Sequence, residues 1–469
     1  MNDERLDALI ESALPETPPD DAAGGITPWR KAMAQVLWGI GLCAVTLNFL
    51  ALNYILPAVG AMLMLCGFRT LRRENRCFAW LYAVSALRAA IWVFTLASLC
   101  TIYSSAPAVE RVSSALTCVS VAAQLVTPLL LFGAIRGVQA KAGVKKHAAG
   151  AIWLLVWYSI VLVLGLYGAV LGLLGGILFI AAFVLIIRSL YKLYSELDEA
   201  GYAVTAAPGR VSNRAMTIAL TGITLALMLC GYLFFTGRPM DWQEQSSERS
   251  RSVEEVSDRL EALGVTEDVL NDMSDEDILA CDGAFYCVTG LLWAGPEDSV
   301  FENMLYRDFT LFLPGNEYRV IHYFVWRDDP GPFVAEAIDL MPTWGHMYEA
   351  WRPAGETTGR VLYDSEGRTF ASPYTEITNE YINGNYHVIL TFDFPNSGER
   401  QRGYVTYASE NVQTGWLFNS WFNYGRLASP LIYPFMDPAD LLRSGAFGVG
   451  VYQRYQNAAQ FYPSDYPNG

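Results

Sequence analysis

The sequence predicts a bundle of seven transmembrane α-helices followed by a C-terminal extracytoplasmic α+β domain, mainly an antiparallel β-sandwich or jelly roll. Of its 469 residues, 52% are hydrophobic and only 17% are charged, whereas soluble domains have about 25% charged residues. Residues 1–240 contain 18 basic and 12 acidic side chains, and residues 241–469 contain 14 basic and 35 acidic ones. Long uncharged segments in the first part indicate a membrane bundle, and alternating apolar residues between regular turns in the second indicate strands.

Seven membrane crossings are predicted in the first half. Residues 32–68 and 148–187 contain no charged side chain, and each segment is about twice the roughly 20 residues that one helical crossing needs. We therefore expect two helical hairpins, one turning at residues 53–57 and the other near Tyr167 and Gly168. Single crossings are expected at residues 77–102, 112–135 and 215–235.

The basic residues predict the orientation of the bundle, because Lys and Arg are enriched in loops that remain in the cytoplasm. Fourteen of them lie before span one or in the loops after spans two, four and six. The loops after spans one, three and five contain a single basic residue, Arg111. The amino terminus is therefore expected in the cytoplasm, the C-terminal domain outside the cell membrane, and the lipid bilayer around the bundle. Residues 1–21 have no basic segment followed by an apolar stretch, so no cleavable signal peptide is predicted.

A cytoplasmic tail, residues 1–28, precedes the bundle, which is predicted to span residues 29–237. Apolar side chains within residues 3–14 recur at the spacing of one helix face. The acidic face of this helix would be repelled by an anionic inner leaflet. We therefore expect it to dock on protein, either on the basic loops of the same chain or on a separate cytoplasmic partner.

The amino-terminal part of the chain resembles a known group of proteins. The segment LDALIESALPETPPDD, followed by ITPWRKAM, LNFLALNYILPAVG and GFRTLRREN, is similar to uncharacterised multi-pass membrane proteins of Gram-positive gut anaerobes. The similarity covers the first three spans and extends to LGVTEDVLNDMSDEDILAC after span seven. It implies a multi-pass architecture in the cell envelope, and it brings no activity or catalytic residue.

Arg88 and Gln124 are the predicted polar residues of the membrane interior. Arg88 lies about 11 residues into the third span, and an arginine at the centre of a span costs roughly 2.5–3.5 kcal/mol. Two interpretations remain open. The side chain extends to the cytoplasmic edge of the membrane, or it faces the bundle interior, where Gln124, Thr127, Asn48 or an anionic ligand contacts it.

Gly168, Gly172 and Gly176 recur every four residues and therefore share one helix face. Such faces of small residues let two helices approach closely. We expect a helix-packing face here, with a substrate groove as the alternative. The spans contain no Asp, Glu or His, the residues from which transporters build proton relays.

Residues 238–283 predict a short helical stalk. Ser252 and Glu255 have the spacing of a capping box, and Thr266 and Ser274 are expected to begin two further helices with acidic first turns. The acidic side chains there lack the Asp and Gly spacing of a calcium loop.

Residues 284–469 predict the β-sandwich. Apolar and polar residues alternate, and turns recur between them, for example at Pro314-Gly315-Asn316 and Asn383-Gly384-Asn385. This pattern favours about eight antiparallel strands. One short helix is expected at residues 438–444, before Gly445.

Two aromatic clusters in this domain are candidate ligand surfaces, because aromatic rings beside amide and acidic groups bind sugars or peptides. The alternative is that the rings fill the core, since aromatic residues favour strands. The first cluster contains Trp416, Phe418, Asn419, Trp421, Asn423 and Tyr424, and the second contains Trp344, His346 and Trp351.

Two cysteines suggest a disulfide, and the sequence lacks the motifs of common hydrolases. Cys281 and Cys287 form a candidate disulfide, because both are expected on the oxidising side of the membrane; two buried thiols are the alternative. No HExxH or Gly-x-Ser-x-Gly motif occurs, so we assign no catalytic residue, metal or cofactor and do not expect an enzyme. A nucleic-acid partner is excluded, because the basic residues form no face of a soluble fold.

These observations favour a membrane protein whose outer domain binds or senses an envelope or extracellular ligand, such as a carbohydrate or peptide, and signals to a cytoplasmic partner. A permease-like or transport-accessory protein, in which the bundle does the work, is the alternative. A membrane-anchored hydrolase ranks third, because the sequence shows none of the motifs that would assign catalytic residues.

Overall fold

The computed structural model describes residues 27–44, 51–167, 172–199, 211–246, 248–328, 335–344, 354–395, 397–410, 417–427, 433–444, 452–462 and 465. The chain divides into two compact units. The bundle comprises residues 1–98 and 107–228, and the C-terminal unit comprises residues 99–106 and 229–469.

The long helices are, in chain order, α1 (Pro28–Ala44), α2 (Leu52–Leu71), α3 (Arg76–Ser98), α4 (Pro107–Lys141), α5 (Ala149–Leu166), α6 (Leu173–Glu199) and α7 (Asn213–Phe234). Among the described residues, six helices, α2 to α7, are long and apolar enough to cross a membrane. This finding is consistent with a multi-pass membrane protein. Helix α1 has 17 residues.

The first hairpin turns earlier than the sequence predicted. Residues 53–57 lie inside α2, which begins at Leu52 and includes Pro57. Pro57 lies in the second helical turn, where it removes a single backbone hydrogen bond, and membrane helices tolerate such a loss. The reversal therefore falls before Leu52. The second hairpin agrees with the prediction, because α5 ends at Leu166 and Tyr167 follows it as the C-cap.

Helices α1 and α2 pack closely through glycines. A β-carbon on Gly60 would lie 2.6 Å from the Gly39 carbonyl oxygen, and one on Gly39 would lie 2.6 Å from the Gly60 carbonyl oxygen. A β-carbon on Gly67 would lie 2.6 Å from the Ala32 carbonyl oxygen. These distances leave no room for a side chain, so the hairpin depends on glycine at these positions.

The strands of the C-terminal unit are β1 (Gln243–Glu244), β2 (Tyr286–Thr289), β3 (Trp293–Ala294), β4 (Met304–Leu313), β5 (Glu317–Trp326), β6 (Glu336–Trp344), β7 (Ala354–Ser365), β8 (Arg368–Pro373), β9 (Glu376–Ile382), β10 (Asn385–Phe392), β11 (Glu399–Glu410), β12 (Phe418–Leu427) and β13 (Tyr452–Phe461). Pairings among these described strands are antiparallel throughout. The eight-stranded sheet has the order β1-β8-β7-β11-β5-β4-β2, with β3 also paired to β4. The five-stranded sheet has the order β13-β12-β6-β10-β9.

The main apolar core contains side chains from both sheets. Tyr306 and Phe324 of the eight-stranded sheet belong to the same buried cluster as Phe392 and Phe422 of the five-stranded sheet. Alternate residues of each strand reach this core, because successive side chains of a strand point to opposite faces.

Three short helices, α8 (Arg251–Ala262), α9 (Glu267–Asp272) and α10 (Asp275–Leu279), follow β1. They were predicted as a stalk, but their apolar residues pack on the eight-stranded sheet. Leu260 and Met273 share a buried cluster with Phe309 and Ile321. The helices are therefore a layer of the C-terminal unit, because an amphipathic helix this short needs an apolar partner.

The helix caps agree with the prediction in part. The Ser274 hydroxyl accepts a hydrogen bond from the Asp277 amide at 3.2 Å, as expected of an N-cap. The capping box at Ser252 and Glu255 does not form, because α8 already begins at Arg251 and Glu255 pairs with Arg251 at 3.0 Å.

A last helix, α11 (Pro438–Ser444), has the predicted bounds. It covers part of the five-stranded sheet, where Ala439 and Leu442 pack on Ala337 and Ile389.

Candidate functional site

A polar cleft of about 670 Å³ lies in the C-terminal unit. One side is formed by α9, through residues 267–272. The other is formed by the ends of β1, β8 and β11, through residues 244–246, 367–369 and 400–402. The cleft is therefore assembled from segments that are distant in sequence.

A buried ion pair forms the floor of the cleft. Arg402 Nε donates to both carboxylate oxygens of Asp272, at 2.9 and 2.8 Å. Arg402 Nη1 donates to Asp364 at 2.9 Å, and the Tyr323 hydroxyl donates to Asp272 at 2.8 Å. Only 3% of the Arg402 side chain is exposed. Burial raises the pKa of the Asp272 carboxyl, and the charge of Arg402 opposes that shift.

Two further arginines hold the end of α9. Arg249 Nη2 donates to the carbonyl oxygens of Leu270 at 2.8 Å and Met273 at 2.9 Å, and Arg360 Nε donates to that of Asp272 at 2.9 Å. Carbonyls at a helix C-terminus have no partner within the helix and favour cations. These contacts fix α9 beside the sheet and so determine the shape of the cleft.

The groups that remain open to a ligand lie on the two walls. On α9, the exposed Glu267, Asp268 and Asn271 side chains form no hydrogen bond or ion pair with other described residues. On the opposite wall, the Arg400 side chain is 54% exposed and lies 3.9 Å from Asp364. The Arg368 side chain is 51% exposed and pairs with Glu244 at 3.2 Å. The cleft therefore has one acidic and one basic wall.

The first predicted ligand surface is divided between the two faces of β12. Phe418 and Tyr424 point into the main core and are buried, whereas Asn419, Trp421 and Asn423 lie on the opposite face of the strand. The predicted surface combines residues that are adjacent in sequence. The two-residue period of the strand separates them, so the two aromatic side chains belong to the core.

The opposite face of β12 contains a row of linked polar side chains. The Asn423 amide donates to the Asp339 carbonyl oxygen at 3.2 Å, Gln456 donates to Asn423 at 2.7 Å, and His387 Nδ1 lies 2.8 Å from Asp339. Asn423 is only 1% exposed. Asn423, Asp339 and His387 are therefore buried, Gln456 is exposed at the end of the row, and Asn419 and Trp421 are half-buried.

In the second predicted cluster, the structure describes Trp344. Trp344 is the last residue of β6, and its backbone pairs with Phe418. His346, Trp351 and Trp416 lie outside the described residues.

Arg88 lies inside the bundle. The residue is 4% exposed, and its guanidinium is near enough to the Cys43 thiol and the Tyr158 hydroxyl to interact with both. The Gln124 side chain interacts with the same hydroxyl. Arg88 Nε has no hydrogen-bond partner among the described residues. The Thr127 hydroxyl is engaged by its own helix, at 2.7 Å from the Ala123 carbonyl oxygen, and Asn48 lies outside the described residues.

The predicted glycine face shows no close helix contact within the described residues. A β-carbon on Gly172 or Gly176 would meet no atom within 4 Å, and Gly168 lies outside the described residues. Close packing occurs instead at Gly39, Gly60 and Gly67.

Cys281 and Cys287 are both free thiols. Cys281 is buried and its thiol donates to the Asp277 carbonyl oxygen at 3.2 Å, while Cys287 lies on β2 and is half-buried. Burial raises the pKa of Cys281 to about 12 and that of Cys287 to about 11. Neither thiol is therefore activated as a nucleophile.

His322, a residue of β5, lies in the main core. His322 Nδ1 is 2.7 Å from the Tyr306 hydroxyl, and its Nε2 is 2.7 Å from the Ser420 hydroxyl. His322 and Ser420 are completely buried, and burial lowers the pKa of His322 to about 3. The neutral ring thus links the two sheets, and no substrate reaches the Ser–His pair. No group of three or more metal-ligating side chains occurs among the described residues.

Comparison with known proteins adds little. No protein family and no curated protein matches the sequence. One solved structure, titled "AvmM Catalyzes Macrocyclization in Alchivemycin A Biosynthesis", is similar over 40% of this chain and 92% of its own, with 12% identity and a TM-score of 0.21. This likeness is too low to assign a fold or an activity.

Proposed function

We propose that this chain is a seven-span cell-membrane protein whose C-terminal domain lies outside the membrane and binds a polar ligand of the envelope or its surroundings. The cleft between α9 and the eight-stranded sheet is the observation that carries the proposal. Its volume of about 670 Å³ lies within the roughly 300–1,000 Å³ of small-molecule sites. Its lining is mostly charged and polar, so the ligand is hydrophilic.

Two observations support the membrane arrangement. Helix α1 is free of charged residues from Ala32 to Ala44, and the uncharged sequence continues through residues 45–50, which together approach the roughly 20 residues that a seventh crossing needs. The segment after α3 belongs to the C-terminal unit: the Leu99 carbonyl accepts from the Phe435 amide at 2.7 Å. That segment has no basic residue, whereas the loops after α2 and α4 are rich in them. The C-terminal domain is therefore assigned to the outer side.

We propose a β-sandwich for the two sheets. This assignment is supported by the main core, where side chains of both sheets pack together, as facing sheets require. Residues 3–14, which lie outside the described residues, are proposed as the docking site of a cytoplasmic partner that receives the signal.

The proposal is tested by filling the cleft. Asn271→Trp places a large side chain on the α9 wall, and Asn379→Trp, at an exposed position of β9, is the matched control. Full-length protein in nanodiscs is mixed with the small-molecule fraction of a cell-envelope hydrolysate, and bound compounds are detected by saturation-transfer NMR. We expect signals with the parent and with Asn379→Trp, and their loss with Asn271→Trp. Equal signals from both variants, or none from the parent, would overturn the proposal.

A permease-like or transport-accessory role is the second candidate, and the burial of Arg88 favours it. A charged side chain inside a bundle is a common mark of a substrate path. This role predicts that Arg88→Gln abolishes uptake of a substrate by proteoliposomes while Asn271→Trp leaves the uptake unchanged. The reverse pattern of effects would favour ligand binding outside the membrane.

A further inference from the structure

We infer that the ligand of the cleft is a zwitterion, specifically a short peptide or amino-acid derivative with a free ammonium and a free carboxylate group. The ammonium lies against Glu267 and Asp268, and the carboxylate lies against Arg400 and Arg368. This inference rests on the proposed function, because it names the ligand class of the same cleft.

The acidic wall is available to a cation. Glu267 and Asp268 are exposed, and their side chains form no ion pair with other described residues. The nearest arginines on that side are already occupied: Arg249 binds backbone carbonyls of α9, and Arg402 binds Asp272. Two adjacent carboxylates without counter-charges attract a positively charged group.

The basic wall is available to an anion. Asp364, the carboxylate nearest to Arg400, already accepts hydrogen bonds from Arg402 and from the Thr369 hydroxyl, each at 2.9 Å. Its distance of 3.9 Å from Arg400 therefore reflects a weak contact. Arg368 pairs only with exposed carboxylates, at 3.2 and 3.5 Å, and exposed pairs contribute little. A ligand carboxylate forms stronger, bidentate contacts with a guanidinium.

A ligand with a single charge is expected to bind weakly, because neither the floor nor the opposite wall of the cleft favours it. Arg402 is held by Asp272 and Asp364, so its charge is already engaged and is not available to a ligand anion. A purely anionic ligand meets the repulsion of Glu267 and Asp268, and a purely cationic ligand meets that of Arg368 and Arg400. Only a ligand with both charges satisfies the two walls together.

The inference is tested with four mixtures of tripeptides on the full-length protein in nanodiscs. The first has free ends, the second is N-acetylated, the third is C-amidated, and the fourth is capped at both ends. Dissociation constants are measured by titration calorimetry. We expect binding of the free peptides, and affinity at least about tenfold weaker when either end is capped, because each cap removes a charge-assisted contact.

Variants of the walls assign each end of the peptide. In the double variant Arg368→Gln and Arg400→Gln, amidation no longer weakens binding but acetylation still does. In the double variant Glu267→Gln and Asp268→Asn, the pattern is reversed. Arg251→Gln is the matched control, because Arg251 is exposed on α8 and does not line the cleft, and it retains both effects.

The outcomes separate this inference from the proposed function. If capped peptides bind as tightly as free ones, or if free peptides do not bind while the envelope hydrolysate still gives signals that Asn271→Trp removes, the zwitterion is wrong and the cleft remains a ligand site. If Asn271→Trp changes no binding at all, the proposed function itself is wrong.

Discussion

The two units of the chain bury arginine side chains in opposite ways. In the C-terminal unit, Arg402 contacts Asp272 and Asp364, and Arg426 lies 3.2 Å from Glu336. Among the described residues of the bundle, Arg88 interacts with the neutral groups of Cys43 and Tyr158. The C-terminal unit therefore uses ion pairs to fix distant segments, whereas Arg88 in the bundle contacts polar groups that provide no counter-charge among the described residues.

The largest loss of stability is expected when the ion pair between Arg402 and Asp272 under the cleft is broken. Asp272→Ala leaves Arg402 buried without its bidentate partner, and loss of one member of a buried pair costs about 3–5 kcal/mol. The free energy of unfolding, measured by pulse proteolysis in urea, should fall by this amount. The control Asp258→Ala, at an exposed position of α8, should change it by less than about 0.5 kcal/mol. A loss below about 1 kcal/mol in Asp272→Ala would show that the pair does not fix α9.

The next largest effect on stability is expected at Asp308, a buried carboxyl that has no arginine ion pair among the described residues. Burial raises the pKa of Asp308 to about 7, and Arg307 only partly offsets the shift. Because the folded-state pKa lies above the unfolded value of about 3.8, the carboxyl stabilises the protein most below pH 4. This contribution is lost as the pH rises through 7, with an upper limit of about 4 kcal/mol.

The pH effect is isolated by comparing the parent with Asp308→Asn. The free energy of unfolding of the parent should fall relative to that of the variant between pH 4 and pH 7. Parallel pH profiles would contradict the burial of an ionisable group at this position.

Within the bundle, the glycines of α1 and α2 should matter more than the predicted glycine face. Gly60→Ala forces a methyl group to within 2.6 Å of the Gly39 carbonyl oxygen, and overpacking of this kind costs about 1–3 kcal/mol. Gly176→Ala, where a β-carbon meets nothing within 4 Å, should leave the melting temperature in detergent unchanged or raised. If Gly176→Ala lowered the melting temperature more than Gly60→Ala, Gly172 and Gly176 would form a packing face after all.

The smallest effect is expected at Arg88. Arg88→Leu removes the contacts with Cys43 and Tyr158, and polar contacts between membrane helices contribute about 0.6–2 kcal/mol. The control Arg73→Leu changes an exposed arginine after α2 and should stay within about 0.5 kcal/mol. Unfolding in a detergent series measures both. If Arg88→Leu matches its control, Arg88 makes no stabilising contact with other helices.

The long helices and the strands could be predicted from sequence because each depends on local patterns. Charge-free segments predicted long apolar helices, and the alternation of apolar and polar residues predicted antiparallel strands. Within β12, the two-residue period separates Phe418 and Tyr424 from Asn419, Trp421 and Asn423. The predicted ligand surface combines them because they are adjacent in sequence.

The cleft could not be predicted, because its residues have no local pattern. Asp272 and Arg402 are 130 positions apart, and Glu267 and Asp268 at the start of α9 have the composition of any helix N-terminus. The arginines of the otherwise acidic second half are a weak indication of buried ion pairs. Each of them needs a partner when buried, and the sequence does not specify which carboxylate provides it.

We propose that the cleft faces the outside of the cell, and labelling of introduced cysteines tests this most directly. Ser246→Cys places a thiol at an exposed position that lines the cleft, and Ala142→Cys places one in the basic loop after α4. A membrane-impermeant maleimide is applied to intact cells and, separately, to permeabilised cells, with the parent protein as the background. We predict that Ser246→Cys is labelled in intact cells and that Ala142→Cys is labelled only after permeabilisation. Labelling of Ala142→Cys but not Ser246→Cys in intact cells would contradict the account.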